Sequence, residues 1–295
     1  MARPQGRATA ACTGPDSREL VVVDAHHHFW DPSRHEYPWM GDELSAIRRR
    51  FGPEDLAPLL AAAGVDRTVL VQTISSVDET REFLATAAGT DFVAGVVGWV
   101  DLTEPSVGDT LAELRAGAGG TLLVGIRHQV HDEPDPLWLL RDDVHRGIEA
   151  VRDAGLVYDL LVKTRELPAA VELARSFPDL RFALDHIAKP RIAAGRRDPD
   201  WEQAMAPLAG CPNVYCKLSG MVTEARWKDW TSDDLQPYVS RVLEWFGPKR
   251  CMFGSDWPVC LLASDYARVL STIRAILGDD GDVFGATATR VYRLS

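Results

Sequence analysis

Eight short apolar runs recur along the chain at fairly even spacing, at residues 20–25, 67–72, 92–100, 122–127, 156–162, 180–185, 214–218 and 250–254. Most are continuous rather than alternating, which is the pattern of parallel strands covered on both faces. Segments of helical period lie between them. Residues 53–63 begin with proline in the first turn and stop at Gly64, and residues 77–88 stop at Gly89. Residues 106–116 open on a serine cap and stop at Gly117, residues 142–154 stop at Gly155, and residues 167–176 precede Pro178. Residues 199–208, 232–246 and 264–277 complete the set, with Ser232 as a cap and Gly247-Pro248 as a sharp stop. These boundaries follow the ordinary start and stop signals of helices.

Eight strands alternating with eight helices predict an α/β fold, a (β/α)8 TIM barrel in a single domain. An open doubly wound sheet is the alternative. It lacks support, because a glycine-rich phosphate loop does not follow the first strand. The domain is expected over residues 19–295, with residues 1–18 as a flexible tail. Two connections are longer than a barrel needs. Residues 29–52 carry Trp30, Tyr37, Pro38 and Trp39, and residues 219–231 carry Trp227 and Trp230. Both leave the C-terminal ends of strands, where barrel enzymes place their chemistry, so they read as lids or substrate walls.

Composition narrows the partners. The net charge of −11 argues against a nucleic-acid surface or an anionic membrane, and leaves a small-molecule substrate as the expected partner. Five cysteines without a C-x-x-C pair suit free thiols in a reducing compartment, so the protein is expected in the cytoplasm. Apolar runs long enough to span a bilayer are missing from the sequence. Oligomeric state is not readable from it.

Candidate chemistry clusters at the predicted strand ends. His26 and His28 close the first run, and side-chain alternation gives them a common face. His186 closes the sixth run and Asp256 follows the eighth. Three imidazoles and a carboxylate suffice to hold one divalent ion of the zinc or manganese type, or to hydrogen-bond a substrate oxygen. Arg127 ends the fourth run, and Lys217 and Ser219 share a face of the seventh. An inward cation there polarises a carbonyl; a surface ion pair is the bland alternative. His128 points inward only if Arg127 does not. Trp30, Trp39, Lys217 and His128 are the expected substrate contacts. His35, His131 and His145 read as solvated. Which of Tyr158 and Asp159 faces inward is open.

The sequence resembles the amidohydrolase superfamily, and within it the branch of L-fuconolactonase and related sugar and dicarboxylate lactonases. The resemblance is carried by Val23-Asp24-Ala25-His26-His27-His28-Phe29-Trp30-Asp31-Pro32, Gly125-Ile126-Arg127-His128, Asp185-His186-Ile187-Ala188-Lys189-Pro190, Val214-Tyr215-Cys216-Lys217-Leu218-Ser219-Gly220 and Gly254-Ser255-Asp256-Trp257-Pro258-Val259. It implies a TIM barrel with His26, His28, His186 and Asp256 at its centre. The strand-4 lysine or glutamate that bridges two metals in binuclear members is not evident, so the resemblance implies at most one ion and does not fix whether it is needed. The expected activity is hydrolysis of a sugar lactone in carbohydrate metabolism, with Asp256 as general base and Arg127 at the oxyanion. A metal-dependent decarboxylase uses the same residues, and a ligand-binding barrel without turnover is the rival of another class.

Overall fold

The strands are β1 (Val23–His27), β2 (Arg67–Val71), β3 (Val93–Gly98), β4 (Leu123–His128), β5 (Val157–Leu160), β6 (Phe182–Leu184), β7 (Val214–Leu218) and β8 (Cys251–Phe253). They come from a computed structural model that describes residues 21–195 and 197–295. The tail expected at residues 1–18 lies outside the described residues. Each strand pairs in parallel with the next, in the order β1 to β8. A bridge between His27 and Trp257 joins the last strand to the first. It is reinforced by His28 N–H to the Trp257 carbonyl at 2.7 Å and Asp256 N–H to the His26 carbonyl at 2.8 Å. The predicted (β/α)8 barrel is therefore the observed fold.

Eight outer helices cover the sheet: α1 (Pro53–Ala63), α2 (Val77–Ala88), α3 (Val107–Ala116), α4 (Asp142–Asp153), α5 (Leu167–Ser176), α6 (Pro199–Ala209), α8 (Ser232–Phe246) and α9 (Tyr266–Leu277). Two further helices lie outside the predicted set, α7 (Met221–Glu224) in the long loop after β7 and α10 (Thr287–Tyr292) at the C-terminus. The caps differ from expectation by one or two residues. Ser106 makes no capping hydrogen bond, Thr231 rather than Ser232 caps α8 in a box with Asp234, and Asp265 caps α9. A carboxylate accepts the free N–H groups of a first turn well, so Asp265 sets the start of α9 two residues after Ser264.

The barrel interior begins as an apolar floor. Val23, Ala25, Val69, Val71, Val97, Val157, Ala183 and Met252 pack together with Ala288, Val291 and Tyr292 of α10, which plugs the end where the strands start. A bulge interrupts β1. Asp24 pairs with Thr68 but His27 pairs with Leu70, so three steps on β1 match two on β2. Asp24 consequently turns outward to the Tyr266 hydroxyl of α9 at 3.0 Å, while Ala25 and His26 both meet interior residues. Among the described residues, no helix is long and apolar enough to cross a membrane.

Candidate active site

Residues two apart on a strand share a face, and the interior climbs in layers along each strand. Along β5 and the residue after it the order is Val157, Asp159, Leu161; along β4 and the residue after it, Gly125, Arg127, Gln129; and from β8 into the loop that follows, Met252, Gly254, Asp256. The first layer is the apolar floor. The second is charged and buried, with Arg127 reaching the cavity above. The third lines a cavity of about 140 Å³ at the C-terminal mouth, walled by His28, Trp39, Thr73, Arg127, Gln129, His131, Asp132, Leu161, His186, Lys189, Asp256 and Val259.

In the charged layer Lys217 Nζ lies 2.5 Å from Asp159 Oδ2, 3.0 Å from Asp185 Oδ1 and 3.2 Å from His26 Nδ1. Arg127 Nη1 donates to Asp185 Oδ2 at 2.9 Å, and Arg127 Nη2 donates to both the side-chain and backbone oxygens of Gln72. From the floor, the Tyr292 hydroxyl donates to Asp159 Oδ2 at 2.8 Å. Burial pushes the Asp185 carboxyl up, but Lys217, His26 and Arg127 outweigh it and hold the group well below its usual range. The balance reverses at Asp159, where burial wins over Lys217 and the carboxyl is raised. Paired this way, the buried charges offset one another and fix the rings above them.

The upper layer holds the histidines. His26 Nε2 and His28 Nε2 are 3.1 Å apart. Asp256 Oδ1 lies 3.4 Å from His28 Nε2, 3.7 Å from His26 Nε2 and 3.9 Å from His186 Nε2. Burial drives His26 and His186 well below the usual imidazole range and lowers His28, so all three are neutral at pH 7. At Asp256 burial pushes up, but His186, His28 and Lys189 together carry the net direction down, and the carboxylate is ionised. Glycines make the space. A methyl on Gly220, which adopts φ +63°, would collide with His186 Nδ1, and one on Gly254 would stand 2.7 Å from His26 Cβ.

This donor set can be tested for metal by its proton inventory. His28 Nδ1 lies 2.7 Å from the Val71 carbonyl, which only accepts, so a neutral His28 carries its one proton there. Its Nε2 then presents a lone pair to Asp256 and His26. His26 presents its own Nε2 lone pair when its proton sits on Nδ1 toward Asp185 Oδ1, at 3.3 Å, and the two lone pairs and the carboxylate then face one another across a gap that a cation would fill. Tetrahedral nitrogen and oxygen ligands of zinc sit about 3.3 Å from one another, which matches the His26, His28 and Asp256 separations. These three form the compact set; His186 groups instead with His26 and Asp185. One divalent ion fits His26, His28 and Asp256, with His186 at its edge.

The structure brings His26, His28, His186, Asp256 and Arg127 to one place, and Trp39 walls the cavity. It places the other expected substrate contacts elsewhere. Trp30 is buried behind Trp39, with ring centroids 5.4 Å apart, and donates its indole N–H to the Ile47 carbonyl. Lys217 is fully buried below the cavity. His128 alternates away from Arg127, stacks on Trp138 at 4.3 Å, pairs with Glu133 and lines an adjoining cavity that shares Trp39, Gln129 and Asp132 with the first. His131, read as solvated, lines the cavity instead, and burial lowers it to about 3. Asp159 faces inward and Tyr158 packs in the outer core. The sequence reading did not single out Asp185, Gln72 or Lys189. Alternation assigns Asp185 the face opposite His186; the strand ends at Leu184 and turns, so both reach the interior. An adjacent Asp-His pair at a strand end was the available signal.

The family model described as "Amidohydrolase" matches residues 23–294. An L-fucono-1,5-lactonase of Burkholderia ambifaria is 43% identical over 284 residues, covering 92% of this chain and 95% of the relative. One of Burkholderia multivorans is 38% identical, covering 92% and 96%. A crystal structure of an amidohydrolase from Burkholderia multivorans with bound zinc superposes with a TM-score of 0.88 at 36% identity, covering 93% of this chain and 100% of that one.

Proposed function

This chain belongs to the amidohydrolase family, and from that premise we propose that it hydrolyses sugar lactones of the L-fucono-1,5-lactone type. The observation that carries the reading is the ionised Asp256 carboxylate facing three neutral imidazoles at a walled barrel mouth. Asp256 accepts a proton from water as the water oxygen attacks the ring carbonyl. Arg127 holds the developing oxyanion. Of its donors, Nε and Nη2 are engaged by Gln72 and one Nη1 proton by Asp185; the second Nη1 proton meets His26 Nε2 at 3.4 Å, the longest of these contacts and the one a substrate oxyanion would take over. Trp39 offers an aromatic face to the sugar ring. A zinc or manganese ion held by His26, His28 and Asp256, with His186 beside them, would add Lewis-acid polarisation of the carbonyl. The free buried thiols Cys211, Cys216, Cys251 and Cys260 suit a reducing cytoplasm, and a sugar-lactone substrate would place the enzyme in carbohydrate metabolism.

The test is acid release from a panel containing L-fucono-1,5-lactone, L-rhamnono-γ-lactone and a dicarboxylate lactone. The sugar lactones are expected to turn over well above their spontaneous rate. Carbon dioxide release from aromatic carboxylates, with the lactones inert, would favour the decarboxylase instead.

A further inference from the structure

Opening a lactone takes a proton from the attacking water and puts one on the ring oxygen; Asp256 accepts the first, and the second comes either from that same carboxyl group or from a separate donor. Water loses a proton to Asp256. The ring oxygen leaves as an alkoxide, a base far stronger than a carboxylate, and it needs a proton of its own.

Lys189 is the cation at the cavity that the steps above leave unused. It stands in the same wall as His28, Arg127, His186 and Asp256. Among the described residues its side-chain partner is Glu224 Oε1 of α7, at 3.0 Å. An ammonium has three N–H groups, so two remain. The backbone that delivers it is unusual. His186, Ile187, Ala188 and Lys189 run at φ +53°, +48°, +60° and +49°, four consecutive non-glycine residues in the left-handed region. Such backbone is strained for residues with a Cβ, and strain of this kind persists only where the surroundings hold it, most often at functional sites. Here the turn is closed by Lys189 N–H to the His186 carbonyl at 2.8 Å. Trp201 anchors its middle by donating to the Ile187 carbonyl at 2.7 Å. Ile187 and Ala188 are buried in the core, while His186 and Lys189 at the two ends both line the cavity. The strained turn sets a second side chain beside His186.

We propose that Lys189 is the general acid of this reaction, giving its proton to the ring oxygen as the C–O bond breaks. The proposal rests on the lactonase reading. The water oxygen bonds to the carbonyl carbon and its proton passes to Asp256. The ring C–O bond breaks with its electron pair on the ring oxygen, which takes a proton from the Lys189 ammonium. As the hydroxy acid leaves, Asp256 gives its proton to bulk water and the Lys189 amine takes one back, so the net change is lactone plus water to hydroxy acid. Glu224 aims the ammonium and so makes the loop after β7 part of the machinery.

A sulfur leaving group separates this role from binding or structure. A thiolate near the ordinary cysteine range leaves without a proton, whereas an alkoxide does not. The kcat values of wild type and Lys189→Met are compared on the sugar lactone and on its thiolactone, with folding checked by near-UV circular dichroism. The variant is expected to lose about 10²–10³-fold on the lactone and less than about 10-fold on the thiolactone. Equal losses on both substrates, or no loss on either, overturn the proposal. Should Lys189→Met fail to fold, Lys189→Arg carries the same comparison, since a guanidinium keeps the charge but holds its proton. A wild-type enzyme inert on the lactone overturns the lactonase reading, and this role falls with it.

Discussion

Asp256 and Asp24 are both buried carboxylates near His26, and their surroundings send them in opposite directions. Asp256, facing imidazoles and Lys189, is ionised and ready to accept a proton. Asp256→Asn keeps the shape and removes the acceptor, so kcat is expected to fall by about two to four orders of magnitude with little change in Tm. Near-normal turnover would remove Asp256 from the mechanism. Asp24 is raised from 3.8 to about 6, chiefly by burial and only partly offset by hydrogen bonds from Ser255, His26 and Tyr266. A raised folded pKa means the native state binds the proton more tightly than the unfolded chain. Its contribution to stability is therefore full below pH 4 and is lost as pH rises through 6, a change of about 3 kcal/mol. Asp24→Asn cannot titrate. Denaturant unfolding across pH 4 to 7 should show the wild-type stability falling by about that amount relative to the variant, and parallel curves would contradict it. Much of this was legible residue by residue: His26, His28, His186, Asp256 and Arg127 stand where strand-end chemistry predicts. Lys217 and His128 stand outside the cavity that holds the histidines, His128 in an adjoining one that shares Trp39, Gln129 and Asp132 with it. Lys217 is one step too deep along β7 to reach the cavity, and His128 yields the inner face to Arg127.

At the scale of elements, two glycines with similar backbone angles separate strain from crowding. Gly64 ends α1 at φ +64° with open space around its missing side chain, while a side chain on Gly220, at φ +63°, would run into the His186 ring. Gly64→Ala is expected to cost about 1 kcal/mol of stability and leave activity unchanged. Gly220→Ala pays the same backbone penalty and also displaces His186, so kcat should drop at least about 10-fold, the size of effect that small misplacements of catalytic groups produce. Equal activities in the two variants would deny His186 a place in catalysis. The same scale shows what hydrophobic pattern reveals. Strands covered on both faces read as continuous apolar runs, and all eight were visible. The bulge in β1 and the left-handed turn after β6 were not, because each changes side-chain phase without changing which residues are apolar. α7 and α10 were missed because four and six residues are too few to show a helical period.

For the whole molecule, floor and site are one connected stack. Tyr292 of α10 reaches from the plug to Asp159, which pairs with Lys217, which meets His26. Tyr292→Phe leaves the buried Asp159 short of a donor and is expected to cost about 1–3 kcal/mol in chemical denaturation. No measurable loss would show that Lys217 alone satisfies that carboxylate. Metal is tested on the whole protein too. Purified enzyme is expected to carry about one zinc or manganese per chain, which His26, His28 and Asp256 could hold. Chelation should abolish turnover, and the same ion should restore it. Full activity in verifiably metal-free enzyme would leave the histidines as the sole polarising groups. The stack also straddles the seam where β8 meets β1, with His26 and His28 on one side and Asp256 on the other, linked through His27 and Trp257. Those partners are made at opposite ends of synthesis. A nascent chain emerging from the ribosome holds both histidines early but gains the carboxylate only when the last strand closes the ring. Recovery of turnover during refolding therefore clocks ring closure itself, and should lag behind the return of helical circular dichroism.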